Sequence, residues 1–321
     1  MNDKELLHAI KTECPNTAGI VILKNGQVLY ENYFNDHTAS DTIHIFSVTK
    51  SITSLLIGIA IDQKYIHGPE QKVLDFFPDY QIRRGEKTIQ NITLRDVMTM
   101  TAPYKYRSEP FSKVWGSDDW IKSSLDLLGG KKPAGGFRYS TIGTQILTGI
   151  LHNATRTPLL DFAAQNLFTP LGIPAPDRAG ISNKEEHMAF YKNKYAAGWV
   201  VDPQGIPTAS WGLTLTPRDM SKIGQLCLSN GSRNGKQIIS SDWIKESTRE
   251  HSRWLERDLP YGYLWWVLNS ENTHAFAALG DGGNTIYVNP EKQLVVAIAS
   301  HFKPLAKPGT ELIEKYILPQ M

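Results

Sequence analysis

Thr42-Ile43-His44-Ile45-Phe46-Ser47-Val48-Thr49-Lys50-Ser51-Ile52-Thr53-Ser54-Leu55-Leu56-Ile57-Gly58 is the stretch on which the reading of this chain turns. Ile52, Leu55, Leu56 and Ile59 recur at helical spacing, so an apolar helix is predicted to begin at about Ser47. Ser47 and Lys50, three residues apart, then share one face a single turn apart. A serine hydroxyl is a poor nucleophile at neutral pH, and a desolvated lysine of lowered pKa can take its proton. The competing reading is a plain helix N-cap at Ser47. Ser-x-x-Lys alone is weak, because ordinary residue frequencies give about one copy in a chain this long. A second copy does exist, Ser300-His301-Phe302-Lys303, but it continues the strand-like run Leu294 to Ala299. On a strand, residues three apart point to opposite faces, so that copy is read as a decoy.

Composition narrows the class. A chain of 321 residues, 41% hydrophobic and 21% charged, can bury a large core as one big domain or two smaller ones. A formal charge of +2 without a basic block gives no sign of a nucleic-acid or anionic-membrane partner. The nine histidines are scattered without metal-ligand spacing, so no structural metal is expected. The start, Met1-Asn2-Asp3-Lys4-Glu5-Leu6-Leu7, lacks the pattern of a secretory signal, and the longest apolar run, around Leu55 to Ile61, is too short for a membrane span. Cys14 and Cys227 form no disulfide framework and are read as reduced. The expectation is a cytoplasmic protein. Asn-x-Ser/Thr triplets at Asn91, Asn153 and Asn230 are then coincidental.

Along the chain, Gly19 to Leu23 and Gln27 to Tyr30 read as a hairpin joined through Asn25-Gly26, a pair suited to positive φ. Helical patches follow at Thr93 to Met100, Asp118 to Leu128 and Ile142 to His152, broken by segments such as Gly129-Gly130-Lys131-Lys132-Pro133-Ala134-Gly135-Gly136. Thr216-Pro217-Arg218-Asp219 caps a helix running to Leu228. Strands are predicted at Tyr263 to Val267, Thr285 to Val288 and Leu294 to Ser300, with a closing helix from Gly309 to Leu318. The expected class is α+β: an antiparallel sheet flanked by helices and built from both chain ends (1–45 and 205–321), with a mainly helical domain inserted (46–204) and the active site in the cleft between them.

An acyl-transfer site also needs a proton relay and donors for an oxyanion. Gly135-Gly136-Phe137-Arg138-Tyr139-Ser140-Thr141 delivers a tyrosine between a Gly-rich loop and an apolar helix, and Gly280-Asp281-Gly282-Gly283-Asn284 brings bare backbone to the start of a strand. A core-edge tyrosine and a simple hairpin turn are the structural alternatives. Ser47-x-x-Lys50, Tyr139-Ser140-Thr141 and Asp281-Gly282-Gly283, in this order and spacing, resemble the three motifs of the serine β-lactamase and penicillin-binding-protein superfamily, most closely its class C and esterase branch. Connecting segments, among them Thr93 to Thr101, Gly212 to Met220 and Tyr261 to Trp266, extend the resemblance over most of the chain.

The resemblance implies Ser47 as the acylated nucleophile, Lys50 as its deprotonating partner and Tyr139 as the proton shuttle to the leaving group. It implies an oxyanion hole from the backbone amides of Ser47 and Asn284, and substrate contacts from Thr141, Asp281, Gly282 and Gly283. The implied substrate is a small ester, amide or peptide-like molecule, and the resemblance implies no metal or organic cofactor.

Two departures bear on specificity. Thr141 stands where the family usually has asparagine, which removes an amide able to donate and accept at once. Asp281 stands where a lysine or histidine usually faces the substrate carboxylate, and the reversed sign is a penalty of order a few kcal/mol in a partly desolvated cleft. Weak or absent β-lactamase activity is expected, with neutral or ammonium-bearing esters and amides preferred. Among literal Tyr-x-Asn triplets, Tyr191-Lys192-Asn193 is the alternative to Tyr139. Trp115, Trp120, Trp199 and Trp211 line an acyl pocket or pack in the core. The alternative function is a penicillin-binding or sensor-type protein that is acylated without efficient turnover. An α/β-hydrolase is excluded by the lack of G-x-S-x-G, and a P-loop by the spacing of Gly231 to Lys236.

Overall fold

Asn25 and Gly26 adopt φ of 52° and 75° and join the strands Thr17–Lys24 and Gln27–Tyr33 into the expected hairpin. A computed structural model describes residues 3–131, 133–269 and 273–321; Met1 and Asn2 of the start and Lys132 of the Gly-rich break lie outside them. The hairpin forms one edge of an eight-stranded antiparallel sheet in the spatial order Gln27–Tyr33, Thr17–Lys24, Leu294–Ser300, Asn284–Asn289, Phe276–Gly280, Trp266–Val267, Leu259–Tyr261, Ser252–Trp254. The first strand of the chain pairs with the last, so the two chain ends do build a single sheet.

Both faces of that sheet are covered, which is why the strand Leu294–Ser300 is apolar without a break as far as Ala299. Ile20, Ile22, Leu294, Val296 and Ile298 pack with Leu6 and Ile10 of the helix Asp3–Glu13 and with Leu312, Ile313 and Ile317 near the C-terminus. Val21, Leu23, Val295, Ala297 and Ala299, one residue out of phase, face the main core instead. The helix Pro217–Leu228 lies on this second face, with Thr216 accepting from the Asp219 amide and Pro217 in the first turn, as its sequence indicates.

The remaining helices gather around Val48–Asp62, whose residues from Val48 to Ala60 are all buried. Leu94–Met98 starts at a capping box of Thr93 and Asp96, Trp120–Leu127 at the Asp119 cap, and Thr141–Thr155 at the Ser140 cap. Side chains of these helices and of the inner sheet face form one continuous core. The closing helix is present as Gly309–Leu312 continued by a π turn, Ile313–Ile317.

One element is shorter than expected. Of Tyr263 to Val267 only Trp266–Val267 is strand, because Tyr261 pairs directly with Trp266 and residues 262–265 make the turn. Leu264 sits at φ 63°, its amide bonded to Met98 O and its carbonyl accepting from Ser51 Oγ at 2.6 Å. The turn thus ties the sheet to the central helix. Cys14 and Cys227 are free thiols, and among the described residues no helix is long and apolar enough to cross a membrane.

Candidate active site

Ser47 precedes the first turn of Val48–Asp62, yet its hydroxyl makes no capping bond to that helix. The simple N-cap reading therefore fails. Lys50 Nζ donates to Ser47 Oγ at 3.1 Å, to Ser210 O at 2.9 Å and to Thr141 Oγ1 at 3.3 Å. Phe46, just before the serine, holds φ 50°, an unfavourable value for a bulky residue. That turn aims Ser47 out of the core while Lys50 remains inside it, only 1% exposed. Burial drives the Lys50 pKa down from 10.5 to about 7, while the charges of Glu109 and Asp281 pull the other way.

Tyr139 closes the second side. Lys50 Nζ sits 4.9 Å from its ring centroid, and the ring stacks on Trp266 at 5.8 Å with 13° between planes. Burial pushes its phenol above the ordinary tyrosine range, opposed by a hydrogen bond with Ser47, so it is protonated at neutral pH. The next two residues start the Thr141–Thr155 helix: Ser140 Oγ accepts from the Gly143 amide at 2.7 Å, and Glu109 Oε1 accepts from the Ile142 amide at 2.7 Å and from Ser140 Oγ at 2.8 Å. Nothing in sequence points to Glu109, which reaches this helix from 31 residues away.

Gly280 ends the strand Phe276–Gly280 against the serine turn. A Cβ there would lie 2.4 Å from Ile45 O and 3.2 Å from the Ser47 amide nitrogen, so only glycine permits the approach. Asn284 is the sheet partner of Gly280, and Asp281–Gly283 form the turn between them. Gly282 (φ 81°) and Gly283 (φ 92°) require the left-handed region. The Asn284 side chain donates to Asp281 O and Ser300 O at 2.7 and 2.8 Å, and its Oδ1 accepts from the Ser300 amide at 3.0 Å. The Ser300 of the second Ser-x-x-Lys copy is thus a buried strand residue occupied in fixing this turn.

Although Asp281 belongs to a hairpin turn, its carboxylate also borders the cleft. Its Oδ2 accepts from Tyr191 OH at 2.9 Å. Tyr191, on the helix Lys184–Lys192, is therefore close by but pairs with Asp281 rather than standing over Lys50.

Two cavities meet at Ser47. The first, about 350 Å³, is aromatic: Phe46, Trp115, Tyr191, Trp211 and Phe302 line it together with Thr141 and Asp281. The second, about 590 Å³, contains Ser47 and Tyr139 with Trp254, Arg257, Trp266 and the 280–285 turn. Of the four tryptophans singled out in sequence, Trp115 and Trp211 border the first cavity, whereas Trp120 and Trp199 are fully buried core. A roomier cavity, about 920 Å³, is bounded by Arg83, Arg84, Lys105, Arg107 and Arg138 and holds none of these site residues except as neighbours in sequence. Chemistry, not volume, singles out the pair at Ser47. Among the described residues no group of three or more histidine, cysteine or carboxylate side chains forms a metal site.

With this geometry in view, relatives are informative. The family model described as Beta-lactamase matches residues 14–317. The 6-aminohexanoate-dimer hydrolase of Paenarthrobacter ureafaciens is 22% identical over 304 residues, 87% of this chain and 71% of the relative. The octameric penicillin-binding protein homologue from Pyrococcus abyssi superposes with a TM-score of 0.75 at 20% identity, over 100% of this chain and 78% of that one. EstCE1, described as a hydrolase with promiscuous acyltransferase activity, gives 0.71 at 15% identity, over 95% and 94%.

Proposed function

Because the chain belongs to the Beta-lactamase family of serine hydrolases, we propose that it hydrolyses small carboxylic esters or amides through an acyl-enzyme on Ser47, with weak or no action on β-lactams. The observation that carries this reading is the buried Lys50 Nζ, 3.1 Å from Ser47 Oγ, with a pKa lowered to about 7. Near neutral pH a large fraction of Lys50 is the free amine, able to accept a proton.

In the proposed cycle, Ser47 Oγ bonds to the substrate carbonyl carbon as its proton passes to Lys50 Nζ. The carbonyl electrons move onto oxygen, and the amides of Ser47 and Asn284 receive that oxyanion; a donor of this kind is worth about 3 kcal/mol. The bond to the leaving group then breaks. Tyr139 gives its phenolic proton to the departing oxygen or nitrogen and recovers one from the Lys50 ammonium. Water then adds to the acyl carbon while giving a proton to Lys50, and the bond from that carbon to Ser47 Oγ breaks as Lys50 returns the proton to Oγ, which releases the acid and restores both residues.

Asp281 argues for the substrate limit. Its carboxylate borders both cavities, so an acyl or leaving group bearing a carboxylate next to the scissile bond meets like charge. Neutral and ammonium-bearing acyl groups do not, and the aromatic cavity offers apolar surface and π faces to either. The relative named a 6-aminohexanoate-dimer hydrolase acts, by its name, on an amide-type dimer, which is in keeping with this limit.

The test is turnover of p-nitrophenyl butyrate and of a reporter cephalosporin, each followed with intact mass. The expected result is ester turnover with little cephalosporin hydrolysis, both lost in Ser47→Ala. Full ester turnover by Ser47→Ala would overturn the assignment of the nucleophile. A persistent Ser47 adduct without turnover would instead make the protein a penicillin-binding or sensor type.

A further inference from the structure

The two cavities differ in charge as well as in shape. Tyr139 borders the larger cavity and not the aromatic one, whereas Thr141 and Tyr191 border only the aromatic one. If Tyr139 serves the departing atom, the leaving group lies in the larger cavity and the acyl chain in the aromatic one. This step rests on the acyl-enzyme reading above.

The leaving-group cavity contains two cations, Arg257 and Lys303. Arg257 is exposed and lies over the Trp254 ring, its guanidinium carbon 4.6 Å from the centroid. Trp254 is itself stacked on Phe137 at 6.2 Å and 18°, which gives the guanidinium a backed platform. Among the described residues the Arg257 guanidinium makes no hydrogen bond or ion pair, and the Lys303 ammonium pairs with no carboxylate. A stacked arginine with its planar fork unused is suited to bidentate carboxylate recognition. The cavity's acidic member, Asp281, sits at the end next to Ser47 and already accepts from Tyr191 OH.

We infer that Arg257, assisted by Lys303, selects substrates whose leaving alcohol or amine carries a carboxylate several atoms beyond the scissile bond. Position distinguishes this anion from that of a β-lactam. A carboxylate beside the scissile bond meets Asp281, while one across the length of the leaving group meets Arg257. Together with the Asp281 limit, the preferred molecule has a neutral or ammonium-bearing acyl chain and an anionic leaving group.

Two butyrate esters separate the possibilities: that of 4-hydroxybenzoate, with an anionic leaving group, and that of methyl 4-hydroxybenzoate, its neutral counterpart. Binding of the intact esters is measured by calorimetry to Ser47→Ala, which keeps the subsite and holds the ester unreacted, and kcat/KM is measured on the wild type. The anionic ester is expected to bind about tenfold tighter than the neutral one, a preference reduced in about 0.5 M salt. In Arg257→Gln the kcat/KM ratio of anionic to neutral ester should fall about tenfold, mainly through KM. Because this ratio is compared between proteins, the intrinsic reactivities of the two phenols cancel. Equal binding of the two esters, or a ratio unchanged in both Arg257→Gln and Lys303→Gln, overturns the inference. Turnover of both esters without selectivity would sink this inference and leave the hydrolase reading standing. Selective binding without turnover would do the reverse.

Discussion

At the scale of single residues, Lys50 is where stability and chemistry conflict. An ammonium buried to 1% exposure is disfavoured, and that desolvation is what lowers its pKa. Ester hydrolysis is expected to rise with pH through about 7 as Lys50 loses its proton, and a kcat/KM profile flat from pH 5 to 9 would contradict the role given to it. The sign for stability follows from the same shift. Between about 7 and 10.5 the unfolded chain holds a proton on Lys50 that the folded protein has released, so folding becomes more favourable as pH rises through that interval. Relative to Lys50→Met, the wild type should gain of order a few kcal/mol across this window and nothing further below it. Chemical denaturation of both proteins at several pH values reads the difference directly, and a gap independent of pH would refute it.

At the scale of elements, the Thr141–Thr155 helix brings Thr141 to the site in its first turn and Tyr139 just ahead of its Ser140 cap, and Glu109 secures that start by accepting from Ile142 N and Ser140 Oγ. Glu109→Ala should therefore cost about 1–2 kcal/mol of stability, as other lost caps do, measured by thermal or urea unfolding. Glu109→Gln tests a separate effect. It keeps an acceptor oxygen but removes a charge that holds the Lys50 pKa up, so the rising limb of the pH profile should move to lower pH. A limb that stays in place, or moves toward alkaline pH, would show that Glu109 does not act on Lys50 through charge. The helix start at Thr216 with Pro217 was readable from sequence because a cap needs only neighbours within one turn; the caps at Thr93 with Asp96 and at Asp119 are as local but emerged with the structure. The span assigned to Tyr263–Val267 was not, since the turn at Leu264 is set by Met98 and Ser51, distant in sequence.

At the scale of the whole molecule, Val48–Asp62 joins the helical part to the sheet. Ile52 and Leu55 share a core with Ile146 of the helical part and with Val295 and Ala297 of the last strand. A shared core predicts common opening. Amides of Val48–Asp62, Thr141–Thr155 and Leu294–Ser300 are expected to exchange with similar free energies under native conditions. Markedly faster exchange confined to Thr141–Thr155 would show that the helical part opens alone.

By itself the sequence determined what short-range chemistry encodes: the continuous apolar run of the last strand, the Asn25-Gly26 hairpin, the cap at Thr216, and a Ser-x-x-Lys whose two side chains a helix must put on one face. It also carried the order of the three motifs, and with it the family. Only the tertiary structure decided how far Lys50 is desolvated, that Asp281 borders the cleft while accepting from Tyr191, and that Glu109 and Arg257 belong to the surroundings. The physical reason is the range of the forces. A cap or an alternation is settled by residues within a turn, whereas desolvation and charge depend on groups such as Ser210 and Thr141, which the fold brings to Lys50 from 160 and 91 residues away.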